Sequence, residues 1–214
     1  MIWVISHHPA KPCDLTMIHD PGAWYDSHAP ELARSYEAID PAQLHAWLHD
    51  LLPTPGAAAL DVGAGTGRDA AWLESLGFEV VAVEPSAAMR AQATALHPDA
   101  TVRWIADALP RLPEARRLGM RFDLILLSAV WMHVPEADRA AAFDTLMTLL
   151  TPGGLLAITL RLGPSAPERG MHPVTEAEVE RLAQERGAHV QRRVEAEDRQ
   201  GRGEVRWVQV AVRA

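Results

Sequence analysis

The chain has 214 residues, 48% hydrophobic and 22% charged, which suits one domain with a full core. No apolar run approaches the roughly 20 residues of a membrane-spanning helix, and Met1–Ser6 is shorter than the apolar part of an export signal, so a cytoplasmic protein is expected. The net charge of −8 argues against a nucleic-acid partner, and a single cysteine, Cys13, excludes an internal disulfide and a cysteine-rich zinc site.

Along the chain, residues 1–20 show no apolar periodicity and read as a loose arm. Residues 29–52 read as helical, with Leu32, Tyr36, Leu44, Trp47, Leu48 and Leu51 as the apolar set and a break near Asp40-Pro41. Pro53 and Pro55-Gly56 end that segment. From Ala57 strand and helix alternate. Ala58–Val62 reads as a strand, Arg68–Leu76 as a helix stopped by Gly77, and Glu79–Val83 as a second strand. Ser86 caps a helix that reaches Leu96. Thr101–Ile105 and Phe122–Leu127 are further strands, the latter apolar on both faces, as a central parallel strand is. Glu136–Leu150 reads as a helix, Pro152-Gly153-Gly154 as a turn and Leu155–Leu160 as a fifth strand. This alternation points to a parallel sheet covered on both faces. The end differs: a helix over Glu176–Arg186, closed by Gly187, precedes strand-like runs His189–Ala196 and Glu204–Val212, which read as an antiparallel hairpin.

The stretch Leu60–Asp69 carries the chemistry. An apolar strand ends in an acid, glycines 63, 65 and 67 follow at alternate positions, and a helix begins at once. Such a turn bends tightly and brings free N–H groups to a helix N-terminus, where negative charge is favoured. It suits an adenosine-type cofactor. Glu84 ends the second strand, where a carboxylate can accept both ribose hydroxyls; alone it would be a solvated loop residue. Asp107 follows the third strand and is either an acceptor for an adenine amino group or a turn-forming aspartate.

Together Leu60–Arg68, Val81–Ser86, Ile105–Leu109, Phe122–Val134 and Leu150–Ile158 resemble the class I S-adenosylmethionine-dependent methyltransferases of small-molecule type. The spacing is Gly-x-Gly-x-Gly, not the dinucleotide Gly-x-Gly-x-x-Gly. The resemblance covers residues 25–214 and implies a Rossmann-like α/β fold: a seven-stranded, mostly parallel sheet, helices on both faces and a closing antiparallel hairpin. It implies S-adenosyl-L-methionine as cofactor, with Gly63, Ala64, Gly65 and Gly67 along its methionine part. Asp61 would order water or the amino group. Glu84 would bind the ribose, Pro85, Ser86 and Met89 would border the adenosine, and Asp107 would face adenine between Ala108 and Leu109. Arg68 either pairs with the methionine carboxylate or is a solvated first-turn arginine.

The segment after the fourth strand would lie beside the reacting sulfur, with Ser128 a backbone contact and Trp131 and His133 facing substrate. His133 is either a general base or a brace for its loop, and Trp131 either pocket wall or packing. Trp24 and Tyr25 resemble an N-terminal lid, Tyr25 reaching the cofactor and Trp24 the substrate. Arg161 and His172 either meet an anionic substrate or are solvated loop residues. No metal is expected: His7 and His8 lack ligand spacing, and His45 and His49 read as surface or lid residues. The segment after the fourth strand lacks the Asn-Pro-Pro-Tyr or Asp-Pro-Pro-Tyr loop that marks methylation of nucleobase or amide nitrogens. The expected organisation is a single methyltransferase domain over 1–214: arm 1–20, helical lid 21–56, cofactor core 57–160, substrate loop and closing hairpin 161–214. The expected activity is methyl transfer to a small molecule by direct displacement, with no membrane or nucleic-acid partner. The alternatives are a non-catalytic adenosyl-cofactor-binding or regulatory protein and, against the glycine spacing, an NAD(P)-dependent oxidoreductase.

Overall fold

The computed structural model describes residues 21–214; the arm expected over 1–20, with His7 and His8, lies outside the described residues. The chain opens with α1 (Pro21–Glu37) and the short α2 (Pro41–Leu44), followed by a 3-10 turn over Ala46–Leu48. Helix α1 starts well before the expected residue 29. Its early turns carry Trp24, Tyr25 and His28 rather than an aliphatic stripe, so apolar periodicity does not reveal them. Asp40 caps α2 by accepting from the Ala42 N–H at 2.9 Å.

Next come β1 (Ala58–Val62), α3 (Arg68–Ser75), β2 (Glu79–Val83), α4 (Ala87–Leu96), β3 (Val102–Ile105), α5 (Pro113–Arg117), β4 (Phe122–Leu127), α6 (Glu136–Leu149), β5 (Leu150–Leu162), α7 (Glu176–Glu185), β6 (His189–Glu197) and β7 (Arg206–Arg213). The strands form one seven-stranded sheet in the order β3-β2-β1-β4-β5-β7-β6. Strands β1 to β5 pair in parallel, and β7 runs antiparallel to both β5 and β6. The expected sheet and its closing hairpin are therefore present.

Strand β4 shows why the sheet is covered on both faces. Ile125 and Leu127 pack with Phe143 and Leu146 of α6 on one side. Leu124 and Leu126 pack with Ala70 and Leu73 of α3 on the other. Ser86 caps α4 by accepting from the Met89 N–H at 3.0 Å, and Thr175 caps α7 likewise through Glu178.

Two local readings change. Pro152-Gly153-Gly154 is not a turn before a strand but a bulge inside β5: pairing with β4 jumps from Phe122–Leu150 to Leu124–Leu155. Helix α5, five residues long, has no sequence periodicity to betray it, and its cap comes from elsewhere in the chain. No described helix is long and apolar enough to cross a membrane.

Candidate active site

Sheet order reverses between β1 and β4, and a crevice opens beyond the C-terminal ends of such strands. Here it is a cavity of about 1540 Å³. Its floor holds Asp61 within β1, Gly63, Ala64 and Gly65 after it, Glu84, Pro85 and Met89 after β2, Asp107, Ala108 and Leu109 after β3, and Ser128 after β4. Most residues expected to hold the cofactor thus meet in one place.

The backbone explains why glycine is needed at the centre. Gly63 has φ +70°, and a Cβ there would approach Val130 Cγ2 to 2.6 Å. Gly67 serves a different purpose from the one expected. It stands off the cavity wall, and a Cβ on it would come within 3.1 Å of Ala93 and Trp104. It lets the start of α3 pack against α4 and β3. Ser86 is also off the wall; its buried hydroxyl caps α4 and donates to Asp26 of α1. Arg68 lines the cavity and is anchored rather than solvated. Its Nε and Nη2 donate to Asp69 at 2.8 and 2.9 Å, and Nη1 to the Tyr36 carbonyl at 3.0 Å.

Carboxylates dominate this end. Asp61 is 1% exposed, and its Oδ2 has no hydrogen-bond partner among the described residues. Burial, and then the charge of Asp69, raise its pKa well above the usual carboxylate range. Glu84 accepts one backbone bond per oxygen, from Gly65 N at 2.9 Å and Ser86 N at 2.8 Å, and burial raises its pKa. Each of its oxygens retains acceptor capacity. Asp107 accepts from Ala108 N on Oδ1 at 2.9 Å, and from Glu114 N and Ala115 N on Oδ2 at 2.7 and 3.0 Å. It therefore caps α5 while lining the cavity, so its turn-forming role is realised. Asp69 sits 3.2 Å from His45; burial alone would raise its pKa, but His45 and Arg68 hold it far below the usual range. His45 is accordingly buried, stacked on Trp72, rather than on the surface; His49 is exposed. An orphaned buried carboxylate oxygen beside a glycine cradle fits a cofactor that brings an ammonium and a sulfonium. No group of three or more His, Cys, Asp or Glu side chains among the described residues could hold a metal ion.

The far wall is built differently. Arg169, in a 3-10 turn over Pro167–Arg169, donates through Nη2 to Tyr25 Oη at 3.1 Å and Tyr36 Oη at 3.2 Å. Tyr25 Oη also lies 3.1 Å from His133 Nε2. Burial pushes the Tyr25 hydroxyl pKa above its usual range. Burial, and then the charge of Arg169, bring His133 down to about 4, so the imidazole is neutral at pH 7 and a weak base. Arg161 and His172 line this part of the cavity too. Trp24 does not: it stacks on His28 at 4.1 Å and lies under the Arg169 guanidinium at 5.0 Å. Trp131 is fully buried against Phe143, and Met132 faces the cavity in its place. Arg169 has no local sequence signal, because the tyrosines it joins lie far away in the chain.

A family model described as a methyltransferase domain matches residues 60–158. A ubiquinone biosynthesis O-methyltransferase of Xylella fastidiosa is 30% identical over 142 residues, covering 64% of this chain and 53% of that protein. The chain spans about half the length of the curated relatives it matches. Among solved structures, the 1,6-didemethyltoxoflavin-N1-methyltransferase of Burkholderia thailandensis, bound to 1,6-didemethyltoxoflavin and S-adenosylhomocysteine, superposes with a TM-score of 0.72 at 20% identity, over 94% of this chain and 92% of that one. A cyclopropane synthase of Mycobacterium tuberculosis gives 0.74 at 14% identity, over 94% and 100%. At these identities the likeness to the solved structures is one of fold.

Proposed function

We propose that this chain is a class I S-adenosylmethionine-dependent methyltransferase that transfers a methyl group to a small-molecule acceptor. The observation that carries the reading is one continuous cavity: a floor of Asp61, Gly63, Gly65 and Glu84 opens onto a wall of Tyr25, His133, Arg161 and Arg169. Bound S-adenosylmethionine supplies a methyl group already attached to a good leaving group. On this reading Glu84 holds the ribose through its remaining lone pairs, and Asp61 takes a donor on Oδ2. Asp107 and the Ala108 N–H take the adenine edge, with Pro85, Met89 and Leu109 as apolar neighbours.

The protein's own contribution is alignment and exclusion of water. Tyr25 and Tyr36 cover the cavity from α1, and Arg169 ties both to the loop after β5. His133 then acts as a hydrogen-bond partner that fixes Tyr25 rather than as the group that removes a proton. Residues 21–56 serve as lid, 57–160 as cofactor core and 161–214 as acceptor side of a single unit. A small acceptor is supported over nucleic acid by the net charge of −8, and a cytoplasmic location by the single cysteine.

The test is turnover. Purified protein is incubated with S-adenosylmethionine and a panel of small hydroxy, amino and carboxylic acceptors, and S-adenosylhomocysteine is measured by mass spectrometry. Acceptor-dependent product is expected. Tight cofactor binding with no product from any acceptor would leave the non-catalytic alternative.

A further inference from the structure

The acceptor side of the cavity holds two arginines, Arg161 and Arg169, without a direct ion-pair partner among the described residues. Arg161 donates from Nη1 to the Pro164 carbonyl at 2.7 Å, and Arg169 uses Nη2 on the two tyrosine hydroxyls. The Nε of each is buried without a partner among the described residues. A guanidinium carries five N–H donors, so both have several to spare.

Asp198, whose charge acts on Arg161, already has its own partners. Asp198 accepts from Arg202 Nη2 at 2.6 Å, from Trp207 Nε1 at 2.9 Å, and from the backbone N–H groups of Gln200 and Arg202. Burial, and then the like charges of Arg202 and Arg169, pull Arg161 below the usual arginine range, while Asp198 and Glu168 act the other way. Unpaired, half-buried guanidiniums that line one cavity are costly unless an anion joins them. Their planar forks suit the two oxygens of a carboxylate or phosphate.

We propose that this cavity takes an acceptor bearing an oxyanion, a carboxylate or a phosphate, held between Arg161 and Arg169. The inference rests on the methyltransferase reading for calling the ligand an acceptor; the anion itself is argued from the arginines alone. Asp61, Glu84 and Asp107 lie on the floor of the cavity, while Arg161 and Arg169 stand on the far wall, where Glu195, Glu197 and Asp198 also line it. An anionic group is drawn to the two arginines and kept from the floor, which turns the remainder of the molecule toward the cofactor.

Calorimetric titration of benzoate, phenyl phosphate and benzamide into the full chain, with and without saturating S-adenosylhomocysteine, tests this. One of the two anions should bind at least about tenfold more tightly than the isosteric amide, and the preferred one identifies the oxyanion. Arg161→Gln should remove that preference with S-adenosylhomocysteine affinity unchanged, and Arg161→Lys should keep part of it. Arg169→Gln should also remove it but breaks two tyrosine bonds as well, so Arg161→Gln decides. Equal binding of the three probes, or an anion preference that persists in folded Arg161→Gln, would overturn the proposal. Failure of S-adenosylhomocysteine to bind would count against the methyltransferase reading instead, because the titration without it still reads the arginine pair.

Discussion

His133 occupies a position from which a base could act, yet burial and then the Arg169 charge bring it to about 4. The unfolded imidazole titrates near 6.5. Between those values the unfolded chain binds a proton that the folded chain refuses, so stability falls as pH drops through that window and is unaffected above it. The gap corresponds to about 3 kcal/mol at most. Thermal melts from pH 7 to 4.5 should show a shallower acid loss in His133→Gln than in the wild type. Turnover at pH 7 should fall less than about tenfold, against the 10²–10⁴ expected for a lost general base. Parallel pH slopes with a thousandfold loss of turnover would make His133 the base. How much of a residue's role can be read from sequence depends on where its partners lie. Glu84 and Asp107 were legible because each ends a strand beside the glycine turn. The second task of Asp107 was not, because the N–H groups it caps belong to Glu114 and Ala115. Trp131 follows a strand end on a 3-10 turn, where one step of rotation decides between cavity and core; the turn sends it to Phe143.

At the scale of elements, the crossing of the β1–α3 turn with the segment after β4 is the tightest point of the cofactor floor. Gly63→Ala would place an L-residue at φ +70° and drive its Cβ into Val130. The backbone part costs roughly 1–2 kcal/mol, and the overpacking roughly 1–3 kcal/mol. Urea unfolding without cofactor should therefore show Gly63→Ala destabilised by about 2–5 kcal/mol. Adding Val130→Ala should recover the overpacking share but not the backbone share. Simple additivity of the two losses would show that Val130 is not what Gly63 must avoid. Elements with strong local signals were readable: β1, β2 and β4 match the expected strands end to end, since alternation with Gly-stopped helices sets their limits. The bulge in β5 was hidden because Pro152-Gly153-Gly154 is turn chemistry in any setting, and only pairing with β4 shows that the ladder resumes beyond it.

Across the whole molecule, the lid joins the two halves of the cavity. Asp26 of α1 accepts from Ser86 and Ala88 at the start of α4, Glu37 accepts from Thr66 at 2.6 Å beside the glycine turn, and Tyr25 and Tyr36 take Arg169 from the opposite side. Cofactor floor and acceptor wall are thus held by one helix that contacts both. The fold was legible because strand–helix alternation and a terminal hairpin permit few sheet topologies; the lid's docking was not, since every one of these bonds spans a long stretch of chain.

On the proposed reading, Asp61, the glycine turn, Glu84 and Asp107 hold one adenosylated amino acid. Calorimetric titration of S-adenosylhomocysteine into the wild type and Glu84→Ala tests it most directly. One molecule should bind per wild-type chain, and Glu84→Ala should weaken it by about 10–100-fold through loss of a charged ribose acceptor. No binding to the wild type, or equal affinity in the variant, would overturn the assignment of Glu84 and the glycine turn to the cofactor.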